Sequence, residues 1–232
     1  MLFQASIDTL RERLERDGFV VYPRLLGGEE AACFLDGLDA CPDIAYDEIL
    51  AHPAVASLAA DSRLYAMVRD LLGPDVAPFR ATLFGDPAGP AMASGWHQDV
   101  ALPMTSIREA PGWGPYLVRA GIVHAKASAG ALGEVLSLRL RLRTFARDYS
   151  LDHVALRTIP GTHLLGVLDD TEIARLAAER PATICEIPVG GALAMKPLLI
   201  HAGSESASPA SAPVLAIDYA TPALIAQGLA LQ

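Results

Sequence analysis

Residues 77–84, with the sequence APFRATLF, mark the point at which the apolar pattern of this chain changes from a helical period to a period of about two. Short apolar segments of this kind continue through most of the remaining chain, and turns rich in Gly, Pro, Asp and Ser separate them. The pattern predicts one helix at 171–180 among strands at 77–84, 95–100, 116–120, 136–145, 155–159, 184–188, 192–200 and 214–219.

The residues before this point have a helical pattern instead. Ile7, Leu10 and Leu14 stand at helical spacing, and residues 29–38 and 62–72 repeat that spacing. About eight strands after a helical start, without regular alternation of strand and helix, are typical of a double-sheet jelly roll. We therefore predict a mainly β fold of this class, with N-terminal and flanking α-helices, rather than a doubly wound parallel sheet.

The length and composition indicate one compact unit. At roughly 150 residues per domain, 232 residues fit one large domain or two small ones, and no linker or repeat divides the sequence. We expect a single domain over residues 1–232, mostly helical at 1–75 and jelly roll at 76–232. Hydrophobic residues make up 52% and charged residues 19%, which excludes disordered and fibrous classes. The net charge, 18 − 27 = −9, argues against a nucleic-acid partner.

Neither a membrane span nor an export signal is expected. The longest apolar segments, such as 189–195, are far shorter than the roughly 20 residues that cross a bilayer, and the N-terminus begins as an amphipathic helix. We expect a soluble, cytoplasmic protein. Cys33, Cys41 and Cys185 stand at irregular spacing, so we interpret them as small core residues and not as a disulfide framework.

The sequence WHQD at 96–99 places His97 and Asp99 two residues apart in a strand-like stretch, where both side chains share one face and can reach one ion. This short pattern is weak alone and needs a distal partner. His201 supplies one, because it ends the apolar segment 192–200 at the rim of the predicted sheet. Two histidines and one carboxylate are the ligands of non-haem Fe(II) oxygenases. The alternative is that His201 is a hydrogen-bonded histidine at the rim, without a metal.

Several motifs together resemble the phytanoyl-CoA dioxygenase family in order and spacing. They are RATLF at 80–84, WHQD at 96–99, LRTIPGTH at 156–163 and His201 followed by IDYA at 217–220. The resemblance implies a double-stranded β-helix that uses Fe(II), molecular oxygen and normally 2-oxoglutarate to oxidise a small molecule, for example in secondary metabolism. It also implies that His97, Asp99 and His201 are the iron ligands and the catalytic centre.

The chain departs from the family at the residue that usually binds 2-oxoglutarate. Family members carry an arginine about eleven residues beyond the distal histidine, and its planar guanidinium pairs with the far carboxylate. Ala212 stands there in this chain, and residues 204–214 contain no basic residue. The resemblance therefore implies a divergent member without the usual anchor.

Two explanations for the missing arginine anchor remain open. Arg139, Arg141 and Arg143 alternate along one predicted strand, so one of them, with Arg141 preferred as the central residue, could replace the anchor. The pattern alone favours the opposite orientation, with leucines inside and arginines in solvent, because buried guanidinium groups are costly.

The second explanation is an Fe(II) enzyme that does not use 2-oxoglutarate, through a substrate that binds the metal or a redox-neutral reaction. A non-catalytic small-molecule-binding relative is a third class. Further expected pocket residues are Leu83, Met104, His124 and Arg157.

Overall fold

The computed structural model describes residues 7–39, 49–84, 93–107, 110–119, 121–142, 155–203 and 214–231. Helices in these ranges are α1 (Ile7–Asp17), α2 (Gly28–Asp39), α3 (Pro53–Ala59), α4 (Ser62–Leu72), α5 (Ala129–Gly133), α6 (Asp170–Glu179) and α7 (Pro222–Ile225). Strands are β1 (Phe19–Tyr22), β2 (Ala77–Phe84), β3 (Ala101–Met104), β4 (Trp113–Arg119), β5 (Ile122–Ala127), β6 (Val135–Arg141), β7 (Ala155–Thr158), β8 (Thr183–Glu186), β9 (Ala192–Met195), β10 (His201–Ala202) and β11 (Val214–Ala220).

The strands form a jelly roll of antiparallel sheets, which confirms the predicted fold class. The largest sheet has the order β1-β9-β6-β11-β2, and three-stranded sheets have the orders β10-β7-β8 and β3-β5-β4. In the largest sheet Asp218 of β11 lies opposite Arg80 of β2 on one side and opposite Ser137 of β6 on the other. A register shift between Asp218 and Tyr219 interrupts the β11–β2 pairing. Polar residues of three neighbouring strands therefore meet on one face of this sheet.

The outer face of the largest sheet is covered by the N-terminal helices. Leu136, Leu138 and Leu140 of β6 belong to the same buried cluster as Leu14 of α1 and Leu64 of α4. Because side chains alternate along a strand, the other face of β6 points into the interior between the sheets.

Arg139 and Arg141 lie on this interior face, and each is only 6% exposed. The expectation that the leucines face the interior while the arginines face solvent is therefore wrong. The reason is that helices bury the leucine side of the sheet, so neither side of β6 faces water. Arg143, like residues 143–154 as a whole, lies outside the described residues.

Several local expectations need correction. The predicted strand at 95–100 is wrong, since only His97 pairs there, as an isolated bridge to His201. The predicted strand at 192–200 ends at Met195, and the chain turns before β10 begins at His201.

Cys185 is buried as expected, whereas Cys33 is exposed, and Cys41 lies outside the described residues. Within the described ranges, no helix combines the length and the apolar character that crossing a membrane requires.

Candidate metal centre

Backbone pairing brings the three predicted metal ligands together. The amide of His97 donates to the carbonyl of His201, and the amide of His201 donates back to the carbonyl of His97, both at 3.0 Å. The amide of Asp99 donates to the carbonyl of Pro197 at 2.9 Å. These backbone bonds join two segments about a hundred residues apart, so long-range pairing fixes the positions of all three ligand residues.

Hydrogen bonds also orient both imidazole rings. Nδ1 of His97 lies 2.8 Å from the carbonyl oxygen of Gly95, and Nδ1 of His201 lies 2.9 Å from that of Leu199. A carbonyl oxygen only accepts, so each Nδ1 carries a proton, and in the neutral ring this leaves the lone pair on Nε2. Metal-binding histidines are typically held in this way.

The ligand atoms converge on one point. Nε2 of His97 is 3.7 Å from Oδ1 of Asp99, and Nε2 of His201 is 3.4 Å from Oδ2 of Asp99. All three ligand atoms lie within 4.8 Å of one another. Bonds of about 2.1 Å to a shared ion, at right angles, would place two ligand atoms roughly 3 Å apart. The separations of 3.4 and 3.7 Å approach this value, so the three side chains could hold one divalent ion after moving toward one another.

The electrostatics of the site give Asp99 and His201 the protonation states that a metal requires. Burial raises the pKa of the Asp99 carboxyl, but the neighbouring imidazoles and the guanidinium groups of Arg139 and Arg80 outweigh this effect and lower it to about 2. Burial also lowers the pKa of the His201 imidazole to about 3, although Asp99 acts in the opposite direction. At neutral pH the site therefore holds a carboxylate and a neutral His201.

The three side chains open onto a cavity of about 300 Å³. Its wall comes largely from the inner faces of β2, β6 and β11, and further lining residues are Arg80, Thr82, Phe84, Arg119, Ser137, Arg139, Leu156, Ala216 and Asp218. Three guanidinium groups face two carboxylates, those of Asp99 and Asp218. Among the described lining residues, guanidinium groups therefore outnumber carboxylates by one, which suits an anionic ligand.

Two of the lining arginines contact carboxylates. Arg80 donates from Nε at 2.7 Å to Oδ2 of Asp218, and its Nη2 lies 2.6 Å from the same oxygen. Arg139 donates from Nη2 to Oδ2 of Asp99 at 3.1 Å, and the same nitrogen lies 3.1 Å from Nε2 of His201. Arg139 thus reaches the candidate metal centre directly.

The other expected pocket residues are placed differently. Arg141 is buried beside the cavity wall and donates from Nη1 to the carbonyl of Ile187 at 3.1 Å, without lining the cavity. Leu83 and Met104 belong to hydrophobic clusters, because their side chains point away from the interior face that carries the site. His124 contacts the carbonyl of its own strand neighbour Ile122.

Arg157 is also outside the cavity lining. Its guanidinium lies over the ring of Trp96, 5.0 Å from the centroid, and donates to the carbonyl of Ser94 at 3.3 Å. The pocket roles expected for Leu83, Met104, His124 and Arg157 are therefore wrong. Arg157 instead contacts residues on the N-terminal side of His97.

The cavity is also lined by three charged residues for which the sequence predicted no role, namely Arg80, Arg119 and Asp218. Arg80 and Asp218 are each the only charged residue of their strand, β2 and β11. Opposite charges in two otherwise uncharged strands indicate that the strands pair with these two residues opposite each other. The Arg80–Asp218 ion pair could therefore have been predicted from the sequence. Arg119, an exposed residue at the end of β4, carries no such signal.

Solved structures with the same fold include metal- and 2-oxoglutarate-binding proteins. The non-heme alpha ketoglutarate dependent epimerase SnoN from nogalamycin biosynthesis has a TM-score of 0.64 at 14% identity, over 93% of this chain and 83% of its own. EctD from S. alaskensis, with 2-oxoglutarate and 5-hydroxyectoine, has a TM-score of 0.62 at 21% identity, over 92% and 75%. HygX from Streptomyces hygroscopicus, with iron bound, has a TM-score of 0.60 at 15% identity, over 92% and 86%.

These similarities establish the double-stranded β-helix fold that the sequence resemblance implied. No protein-family profile matches the chain, and no curated protein matches it. Membership of the phytanoyl-CoA dioxygenase family itself therefore stays a prediction.

Proposed function

We propose that this chain is a non-haem Fe(II)-dependent oxygenase acting on a small molecule, with His97, Asp99 and His201 as the iron ligands. The observation that carries the proposal is the convergence of two Nε2 lone pairs and one ionised carboxylate at the wall of a cavity. The iron bound to HygX and the alpha ketoglutarate dependence of SnoN support the same assignment. Fe(II) held by three ligands would activate oxygen at its open coordination positions.

Other residues of the chain would orient the imidazole ligands, attract an anionic co-substrate and limit the access of water. The carbonyls of Gly95 and Leu199 hold the two imidazole rings in the tautomer that leaves Nε2 free for the ion. The positive excess in the cavity attracts an anionic co-substrate, and the apolar side chains of Phe84, Leu156 and Ala216 reduce access of water to it.

We propose 2-oxoglutarate as the co-substrate and Arg139 as the residue that holds its far carboxylate. Arg139 lines the cavity beside the ligands, whereas Arg141 lies next to the cavity wall. Arg141 remains a second candidate, because it lies opposite Val214, which follows the usual anchor position, Ala212, by two residues. Arg143 is the third candidate from the sequence.

One alternative is supported by a specific observation. SnoN is an epimerase, and epimerisation leaves the overall oxidation state of its substrate unchanged. SnoN itself depends on alpha ketoglutarate, so it supports a redox-neutral reaction as the second candidate function, whereas a reaction without 2-oxoglutarate rests on the alanine at position 212. The single domain over residues 1–232, the cytoplasmic location and the absence of a nucleic-acid partner stay predictions.

Calorimetric titration of 2-oxoglutarate into the Mn(II)-loaded protein tests the co-substrate. The wild type should bind one equivalent, and Arg139→Met should bind about ten- to a hundredfold more weakly, because a charge-assisted contact to a carboxylate is lost. Arg175→Met is the control, since Arg175 pairs with Glu179 on the exposed side of α6. A metal-loaded wild type that does not bind 2-oxoglutarate would favour the alternative reaction class.

Conversion of 2-oxoglutarate to succinate then tests the oxygenase activity itself. With Fe(II), oxygen and ascorbate, which supplies the two electrons that a substrate would otherwise give, the wild type should release succinate and CO2 at a low rate that disappears in His97→Ala. Succinate release that is equal in both proteins would contradict the proposed function.

A further inference from the structure

Arg139 and a metal ion would compete for the same atom of His201. Nη2 of Arg139 lies 3.1 Å from Nε2 of His201 and 3.1 Å from Oδ2 of Asp99. Nδ1 of His201 faces the carbonyl of Leu199 at 2.9 Å and therefore carries the ring proton. Nε2 is then an acceptor, and the guanidinium donates to it.

His201 and Asp99 differ in how many hydrogen bonds or metal ions their ligand atoms can accept. A neutral imidazole nitrogen has one lone pair, so Nε2 of His201 cannot accept a hydrogen bond from Arg139 and coordinate an ion at the same time. A carboxylate has two oxygens with about four lone-pair sites. Asp99 can therefore coordinate through Oδ1, which faces His97 at 3.7 Å, and keep Arg139 on Oδ2.

We infer that Arg139 occupies the metal-binding lone pair of His201 in the metal-free protein and that metal binding releases it toward the cavity. The inference rests on the proposed function, because it takes the three residues as metal ligands. It assigns Arg139 a second role as a positioning residue that links the metal state to carboxylate binding.

The surroundings of Arg139 keep its released guanidinium inside the protein. The residue is 6% exposed, its guanidinium carbon lies 5.8 Å from the centroid of the Phe84 ring, and its strand neighbours on β11 and β9 are Ala216 and Leu193. The cavity, which Arg139 already lines, is the polar space next to these side chains into which the released guanidinium can move. A carboxylate entering the cavity would therefore meet a desolvated guanidinium, where the pairing is strong.

Anaerobic calorimetric titration of Mn(II) into the wild type, Arg139→Met and Arg139→Lys tests this inference. Arg139→Met removes the competitor, so it should bind Mn(II) at least tenfold more tightly, which corresponds to about 1.4 kcal/mol. Arg139→Lys keeps the charge, but its side chain is one bond shorter than the path to Nη2 that contacts both Asp99 and His201, so its Mn(II) affinity should also exceed that of the wild type. Arg175→Met is the control for the loss of an arginine away from the site.

The outcomes separate this inference from the proposed function. Mn(II) binding that is lost in His97→Ala but unchanged or weaker in Arg139→Met would overturn the competition and leave the metal site intact. Tighter binding by Arg139→Met but not by Arg139→Lys would mean simple charge repulsion and would also overturn it. A wild type that binds no Mn(II) would overturn the proposed function, and this inference with it. If Arg139→Met does not fold, Arg139→Lys alone decides.

Discussion

Removing the charge of Asp218 tests whether the polar face of the largest sheet is built around an ion pair. In Asp218→Asn the side chain keeps its shape, but Arg80 loses the carboxylate oxygen that it contacts through Nε at 2.7 Å and Nη2 at 2.6 Å. The two side chains are 22% and 9% exposed, so water compensates Arg80 only in part. Removing one partner of a buried ion pair lowers the free energy of unfolding by roughly 3–5 kcal/mol. Because the asparagine keeps an amide oxygen near Arg80, we expect a loss near the lower limit, about 3 kcal/mol.

Urea denaturation followed by circular dichroism measures this loss, and thermal denaturation should show a midpoint lower by roughly 6–12 °C for a chain of this size. The double variant Arg80→Met/Asp218→Leu should regain most of the stability, because apolar replacements of a buried pair are often neutral. Glu179→Gln, which breaks an exposed pair on α6, should cost less than about 0.5 kcal/mol. A loss below about 1 kcal/mol in Asp218→Asn, or a double variant less stable than Asp218→Asn, would refute the buried ion pair as a source of stability.

Three further outcomes follow from burial and backbone geometry. Leu138→Ala should lose about 2–5 kcal/mol in urea denaturation, whereas Leu164→Ala, at a 70% exposed position, should stay within about 0.5 kcal/mol. Gly190→Ala should lose more than about 1 kcal/mol in the same assay, because φ is 74° and a Cβ would overlap a neighbouring backbone carbonyl. Burial raises the pKa of the Cys185 thiol to about 11, so alkylation at pH 8, located by mass spectrometry, should modify exposed Cys33 and spare Cys185.

The sequence was sufficient to predict the fold class and the three converging side chains. The period of two after residue 77 reflects strands whose two faces have different surroundings, and this difference is present in the sequence itself. His97 and Asp99 share a face because they stand two residues apart, and the structure brings His201 to them through a backbone pair. Whether these residues bind iron stays a prediction of the resemblance and of the geometry.

The orientation of Arg139 and Arg141 could not be predicted in the same way. Alternation in β6 says that leucines and arginines point to opposite faces, but it does not say which face meets water. The answer depends on helices distant in sequence, such as α4, which cover the leucine face. The contact between Arg139 and His201 depends likewise on how the two sheets pack, which no local pattern encodes.

Anaerobic titration of Fe(II) into the wild type, His97→Ala and His124→Ala tests the central claim most directly. His124 is a half-buried histidine of β5 outside the cavity lining, so His124→Ala is a matched control for the loss of an imidazole. The wild type and His124→Ala should each bind one equivalent of Fe(II), and His97→Ala should lose that binding. Equal, tight, stoichiometric binding by the wild type and His97→Ala would contradict it.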